Sequence, residues 1–157
     1  MSTVKPTPEG FHTITPYLSV KDAKAAIAFY EGVFGASEVG RILMPGGTVG
    51  HAELQIGDTR LMLAEEMPEW GNKSPSTLGG SPVGIALYVA DVDATYQRAI
   101  DAGATVVEPV KDQFYGDRAG SLLDPFGHKW HIMTHIEDVT FDEMQKRCDA
   151  MFAAKPE

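Results

Sequence analysis

The chain has 157 residues, of which 43% are hydrophobic and 22% charged, and its formal net charge is −9. This length suffices for one unaided hydrophobic core, and no apolar run reaches the roughly 18 residues of a membrane helix. The excess of 22 acidic over 13 basic side chains repels a phosphate backbone. We therefore predict neither a nucleic-acid partner nor a membrane partner.

Cysteine content and the first ten residues bear on the cellular compartment. The single cysteine, Cys148, excludes an intrachain disulfide and a thiolate zinc site. Residues 1–10 are polar, contain two prolines and lack the apolar core of a signal peptide. The expected location is the cytoplasm.

An internal repeat organises the sequence. Asp22 aligns with Asp91 at a spacing of 69 residues, and Gly35 aligns with Gly103 at a spacing of 68. Each aspartate follows a β-branched run and is suited to cap a helix N-terminus, and each glycine is suited to end that helix. Three strand-like runs follow each helix, at 38–44, 50–56 and 60–64 and again at 105–110, 120–124 and 128–134.

The repeat predicts an α+β fold of two tandem βαβββ modules within a single domain, residues 1–157. Module one covers about 12–66, a linker rich in Pro, Gly and Ser covers 67–82, and module two covers about 83–136. A capping box at Thr140 and Glu143 opens a C-terminal helix of about 140–153. Its apolar face, with Phe141 and Phe152, predicts a homodimer.

Several short motifs resemble the vicinal-oxygen-chelate superfamily, which comprises glyoxalases, bleomycin resistance proteins and extradiol dioxygenases. They are Phe29-Tyr30 with Phe34-Gly35-Ala36, His51-Ala52-Glu53-Leu54, Asp112-Gln113-Phe114-Tyr115-Gly116-Asp117-Arg118 and Asp124-Pro125-Phe126-Gly127-His128. The third motif is similar to the PhnB-like branch. The resemblance implies that each module curves its mixed sheet into a half-barrel and that the two halves enclose a ligand cavity.

The same resemblance assigns four positions to metal ligands, namely Thr15, Met62, Gly84 and His131. Only the histidine is a strong ligand for a divalent ion, because the others supply a hydroxyl, a thioether and no side chain. We therefore predict no cofactor and no metal site of the usual kind. A divalent metal at a non-standard site remains the alternative.

Strand alternation predicts which side chains face the cavity. The expected ligand-binding residues on strands are Thr15, Tyr17, Met62, Gly84, Tyr88 and Lys129. Phe114 and Tyr115 are expected to line or gate the entrance. Arg118 has two interpretations: it fixes its loop by pairing with a nearby aspartate, or it binds a ligand anion.

His131 has candidate catalytic partners in His51 and Glu53, which face away from the apolar side chains of their strand. Each member of this set also has a structural interpretation. His131 would be a hydrogen-bonded pocket histidine, and the other two would form an ion pair on a solvated strand face.

Three functions fit these observations. The preferred one is a small-molecule-binding protein of the glyoxalase/bleomycin resistance type without the usual metal site. The alternative is a metal-dependent lyase, isomerase or dioxygenase with a non-standard site on His131, His51 and Glu53. The third is a structural partner that dimerises through the C-terminal helix. A fold shared by enzymes and binding proteins cannot by itself distinguish them.

Overall fold

The computed structural model describes residues 3–153, so both ends of the predicted domain, residues 1 and 157, lie outside the described residues. The described chain divides into two compact units, residues 3–82 with 125–128 and residues 83–124 with 129–153. Each contains one four-stranded mixed sheet and follows the order βαβββ. The predicted α+β fold of two modules is confirmed. No helix within residues 3–153 is long and apolar enough to cross a membrane.

The sheet of the first unit has the strand order β1-β4-β3-β2, with β1 and β4 parallel. Its elements are β1 (Tyr17–Val20), α1 (Ala23–Phe34), β2 (Ser37–Leu43), β3 (Val49–Ile56) and β4 (Thr59–Glu65). Asp22 caps α1 by accepting a hydrogen bond from the Ala25 amide at 2.9 Å. Gly35 ends the helix with a positive φ of 68°, as predicted. Ile27, Tyr30, Leu54 and Leu63 form the centre of the core.

The second unit repeats this arrangement with the strand order β5-β8-β7-β6. Its elements are β5 (Gly84–Tyr88), α3 (Val92–Asp101), β6 (Thr105–Asp112), β7 (Asp117–Leu123), β8 (Lys129–His135) and α4 (Phe141–Ala153). Asp91 caps α3 through the Ala94 amide at 3.0 Å. Trp130, Ile132 and Leu122 are fully buried in the core of this unit.

The segment predicted to be a linker, residues 67–82, contains two short helical turns. They are a 3₁₀ turn at Pro68–Trp70 and α2 at Pro75–Leu78, each with proline in its first turn. Glu66 accepts hydrogen bonds from the Ser74 amide at 2.8 Å and the Thr77 hydroxyl at 2.9 Å. These bonds, the amide bond above all, lower the pKa of the Glu66 carboxyl and anchor the segment.

The C-terminal helix is attached to the second unit by polar contacts. The Glu143 amide donates to the Thr140 hydroxyl at 3.2 Å, which is one half of the predicted capping box. Arg147 binds the Glu137 carboxylate at 2.7 Å and the Phe114 carbonyl at 3.1 Å. No residue of α4 is buried, and Phe141 and Phe152 on its apolar face are 87% and 65% exposed.

Candidate functional site

The second unit carries a cavity on the sheet face that lies opposite α3. The Thr134 hydroxyl accepts from the first amide of α3, which places the even-numbered residues of β8 on the helix side. His131 and, on β7, its register partner Ser121 therefore lie on the other side. The cavity measures about 340 Å³ and is lined by Ala86, Glu108, Gln113, Tyr115, Ala119, Gly120, Ser121, His131 and Met133. This size and mixed lining are typical of small-molecule sites.

His131 is held between Ser121 and Gly84. Its Nδ1 atom lies 2.8 Å from the Ser121 hydroxyl oxygen. On the other side of the ring, a Cβ atom added to Gly84 would lie 2.6 Å from Nε2. The imidazole thus occupies the space that a side chain at position 84 would need. Gly84 leaves the space in which the His131 ring lies, and it is not among the described residues that line the cavity.

Gly84→Ala is predicted to displace the His131 imidazole. The added methyl group forces the ring to rotate away from Ser121, which costs about 0.5–1.5 kcal/mol for the lost hydrogen bond. The ¹⁵N chemical shifts of the ring report this change directly. Gly40→Ala is the control, because a Cβ atom there meets nothing within 4 Å. Unchanged His131 shifts in Gly84→Ala would refute the seating of the ring.

The loop between β6 and β7 places Tyr115 at the cavity and packs Phe114 against it. The two rings meet edge to face at 5.3 Å between centroids. Burial raises the pKa of the Tyr115 hydroxyl, and the negative charges of Asp117 and Glu108 raise it further. Tyr115 is therefore a neutral hydrogen-bonding group at neutral pH.

Arg118 takes the first of its two predicted roles. It lies on the helix side of β7, where Nε and Nη2 bind the Asp93 carboxylate of α3 at 2.7 and 2.8 Å. Nη1 binds Asp112 at 2.9 Å. These carboxylates raise the pKa of the guanidinium. Arg118 thus fixes the loop to α3, and its role as a ligand-binding residue stays a prediction.

Tyr88 donates its hydroxyl hydrogen to the buried carboxylate of Asp117 at 2.9 Å. Asp117 also bonds Nδ1 of His135 at 2.7 Å, and Nε2 of His135 bonds Asp138 at 2.8 Å. Asp138 and Asp117 raise the pKa of His135, and Asp117 raises that of Tyr88. The sequence analysis did not predict this series of hydrogen bonds. The register of the hairpin could have indicated it, because Asp117 and His135 lie nine residues before and after Phe126 and pair with each other.

In the first unit the structure brings together three of the predicted site residues. The Tyr17 hydroxyl lies 2.7 Å from Nδ1 of His51, and Nε2 of His51 lies 3.3 Å from the Glu53 carboxylate. Tyr17 and Glu53 both pair with Met62 on the intervening strand, which aligns them on one sheet face. Partial burial raises the pKa of Tyr17. His51 and Glu53 also border a concavity of about 290 Å³.

Three further predicted residues have different settings. Thr15 precedes β1 by two residues and is half-buried, rather than lying in the strand as expected. Met62 is half-buried in the middle of its sheet. Lys129 begins β8 opposite Gly84 and is also half-buried.

The duplicated βαβββ unit with an open sheet face defines a class of paired-module α+β proteins. The family model of the glyoxalase/bleomycin resistance protein/dioxygenase superfamily matches residues 10–132. The chain belongs to this superfamily.

Comparisons with individual proteins agree with this assignment. An uncharacterized protein of Mycobacterium bovis is 47% identical over 135 residues, which cover 84% of this chain and 89% of that protein. The X-ray structure of an Arabidopsis thaliana gene product is 30% identical, with a TM-score of 0.62, and covers 78% of this chain and 98% of its own. The crystal structure of TioX from Micromonospora sp. ML1 is 26% identical, with a TM-score of 0.61 and coverages of 80% and 99%.

The four positions that the family resemblance assigns to metal ligands do not fit a divalent ion. Thr15, Met62 and Gly84 supply no imidazole or carboxylate, and Nδ1 of His131 is already bonded to Ser121. Within residues 3–153 no group of three or more His, Cys, Asp or Glu side chains is arranged to hold a metal. Two or three such donors are the usual minimum.

Proposed function

We propose that the protein binds a small organic molecule in the cavity of the second unit and that binding does not require the divalent metal of its superfamily. The observation that supports this most directly is the cavity of about 340 Å³ beside His131. Its walls combine an aromatic ring, Tyr115, and a thioether, Met133, with hydrogen-bonding groups. The donor set at the four family positions supports metal independence.

The cavity wall also suggests the charge of the ligand. Among the described residues, those that line the cavity include Glu108 and no lysine or arginine. The chain as a whole carries a formal charge of −9. An anion would therefore be repelled, whereas a neutral or cationic molecule would be attracted. We infer a planar, neutral or cationic ligand that stacks near Tyr115 and hydrogen bonds His131, Ser121 or Gln113.

Ala86→Leu is predicted to weaken binding of such a ligand about 10- to 100-fold, because overpacking a filled site costs about 1–3 kcal/mol. Ala86 lines the cavity but is exposed on its strand, so the change leaves the core intact. The measurement is calorimetric titration of a compound that co-purifies with the protein or emerges from a fragment screen. Ala94→Leu adds the same atoms to the exposed surface of α3 and serves as the control. Equal affinities for both variants would place the ligand elsewhere.

We also propose that the protein forms a homodimer through α4. Phe141 is 87% exposed and Phe152 is 65% exposed, a large apolar area for a helix otherwise held by ion pairs. Truncation after Asp138 is predicted to shift a dimer to monomer in sedimentation at micromolar concentration. Leu78→Ser alters an equally exposed apolar residue of the linker and should leave assembly unchanged. A full-length chain that sediments as a monomer would contradict the proposal.

A further inference from the structure

We propose that Tyr17, His51 and Glu53 of the first unit form an acyl-accepting triad, in which the Tyr17 hydroxyl attacks the carbonyl carbon of a small activated ester. The three side chains are linked by distances of 2.7 Å and 3.3 Å across one sheet face. The triad shares no residue with the cavity of the second unit. The inference therefore goes beyond the binding function proposed above.

The direction of the hydrogen bonds follows from the chemistry of the acceptor at the end of the chain. An ionised carboxylate only accepts, so Nε2 of a neutral His51 must carry the hydrogen that Glu53 receives. Nδ1 then has a free electron pair, and the Tyr17 hydroxyl donates to it. A hydroxyl, an imidazole base and an orienting carboxylate in this order match the arrangement that activates hydroxyl nucleophiles.

The reaction step balances without any added reagent. A bond forms between Oη of Tyr17 and the acyl carbon, and the ester C–O bond breaks. When the substrate is an aryl ester, the leaving group is a phenolate, which departs with the electron pair of the broken bond. The Tyr17 proton passes to Nδ1 of His51. Glu53 stabilises the resulting imidazolium, which returns a proton to water. The products are an O-acyl tyrosine and a free phenolate.

The nucleophile is accessible to such a substrate. Tyr17 is 51% exposed. Tyr17 borders a concavity of about 180 Å³ that Lys73 and His128 also line. His51 and Glu53 border the concavity of about 290 Å³ whose other walls include the apolar side chains of Val39 and Ile42. Space for a small ester thus borders Tyr17 in one concavity and its two partners in the other.

Tyr88 provides an internal comparison for Tyr17. It is similarly exposed, at 60%, but its hydroxyl donates directly to the carboxylate of Asp117. A carboxylate is a weaker base than imidazole by about two pKa units, so it removes a phenolic proton less readily. The imidazole acceptor is thus the feature that separates the two tyrosines.

The experiment treats the full-length protein with p-nitrophenyl acetate near neutral pH. Release of p-nitrophenolate is followed by absorbance, and peptide mass spectrometry locates the acetyl group. Because p-nitrophenolate is a weaker base than tyrosinate, the acetyl group should accumulate on Tyr17. We expect Tyr17 to be acetylated at least about ten-fold faster than Tyr88, and His51→Gln to slow Tyr17 by a similar factor. Tyr17→Phe should remove the fast phase of p-nitrophenolate release.

Glu53→Gln provides a second variant that preserves the shape of the site and should slow Tyr17 by a smaller factor than His51→Gln. Circular dichroism checks that each variant is folded, and Tyr88 acetylation in the same digest must stay constant. Equal labelling of Tyr17 and Tyr88, or a Tyr17 rate unaffected by His51→Gln, would overturn the proposal. Neither result bears on ligand binding in the second unit.

Discussion

Gly116→Ala is expected to lower the free energy of unfolding by about 2–5 kcal/mol, because two penalties act together. Gly116 has a φ of +96°, a conformation that side chains disfavour. An added Cβ atom would also press against the carbonyl oxygen of Glu137. That backbone is fixed, because the Gly116 carbonyl accepts hydrogen bonds from the amides of Ile136 and Glu137 at 2.9 Å each. Chemical denaturation followed by circular dichroism measures the loss.

Gly46→Ala isolates the conformational part of this effect. Gly46 has almost the same φ, +97°, but a Cβ atom there meets nothing within 4 Å. Its expected cost is therefore only the about 1–2 kcal/mol of the left-handed conformation. An equal loss of stability in the two variants would show that the Glu137 backbone moves away from the added Cβ atom without an energetic penalty. The loop that carries Tyr115 would then be less rigid than the hydrogen bonds indicate.

Trp130→Ala is expected to destabilise the protein by about 3–5 kcal/mol, the usual range for a fully buried tryptophan. Trp130 is 1% exposed, and its indole nitrogen donates to the buried carboxylate of Asp124 at 2.9 Å. It is adjacent to His131 on β8 but faces the core. The variant thus tests how much the core behind the cavity wall contributes to the free energy of unfolding. Thermal and urea unfolding both measure this loss.

Two other substitutions separate packing from hydrogen bonding. Trp130→Phe keeps most of the ring volume and loses the indole donor, so about 1–3 kcal/mol is expected. Trp70→Ala removes a tryptophan that is 70% exposed in the linker and should change stability by less than about 0.5 kcal/mol. A Trp130→Ala effect as small as that of Trp70→Ala would contradict the assigned core.

The repeat carried most of what could be predicted about the fold. Asp22 and Asp91 marked both helix starts because aspartate is among the side chains preferred at a helix N-cap, where its carboxylate accepts a hydrogen bond from a free amide. Gly35 marked one helix end, whereas α3 ends at Asp101 and is capped by Ala102, so that Gly103 lies two residues beyond the helix. The short helix α2 was missed because four residues carry no periodicity.

The site was less predictable because its key contacts join distant parts of the chain. Strand alternation placed His51, Glu53 and Tyr17 on the open side of their sheet, but not the bond between Tyr17 and His51, which crosses an intervening strand. Arg118 forms an ion pair with Asp93 on α3, which lies 25 residues away in the sequence and is not indicated by any local motif. The contact between Gly84 and His131 depends on ring placement, which sequence spacing does not determine.

Metal-independent binding in the cavity of the second unit can be measured by NMR of protein labelled with [¹³C-methyl]methionine. Met133 lines that cavity, whereas Met62 lies on the sheet of the first unit. We expect a bound compound to shift the Met133 methyl signal and to leave the Met62 signal unchanged, equally before and after treatment with a chelator. A shift at Met62 alone, or a Met133 shift that disappears with chelator and returns with added zinc, would contradict this expectation.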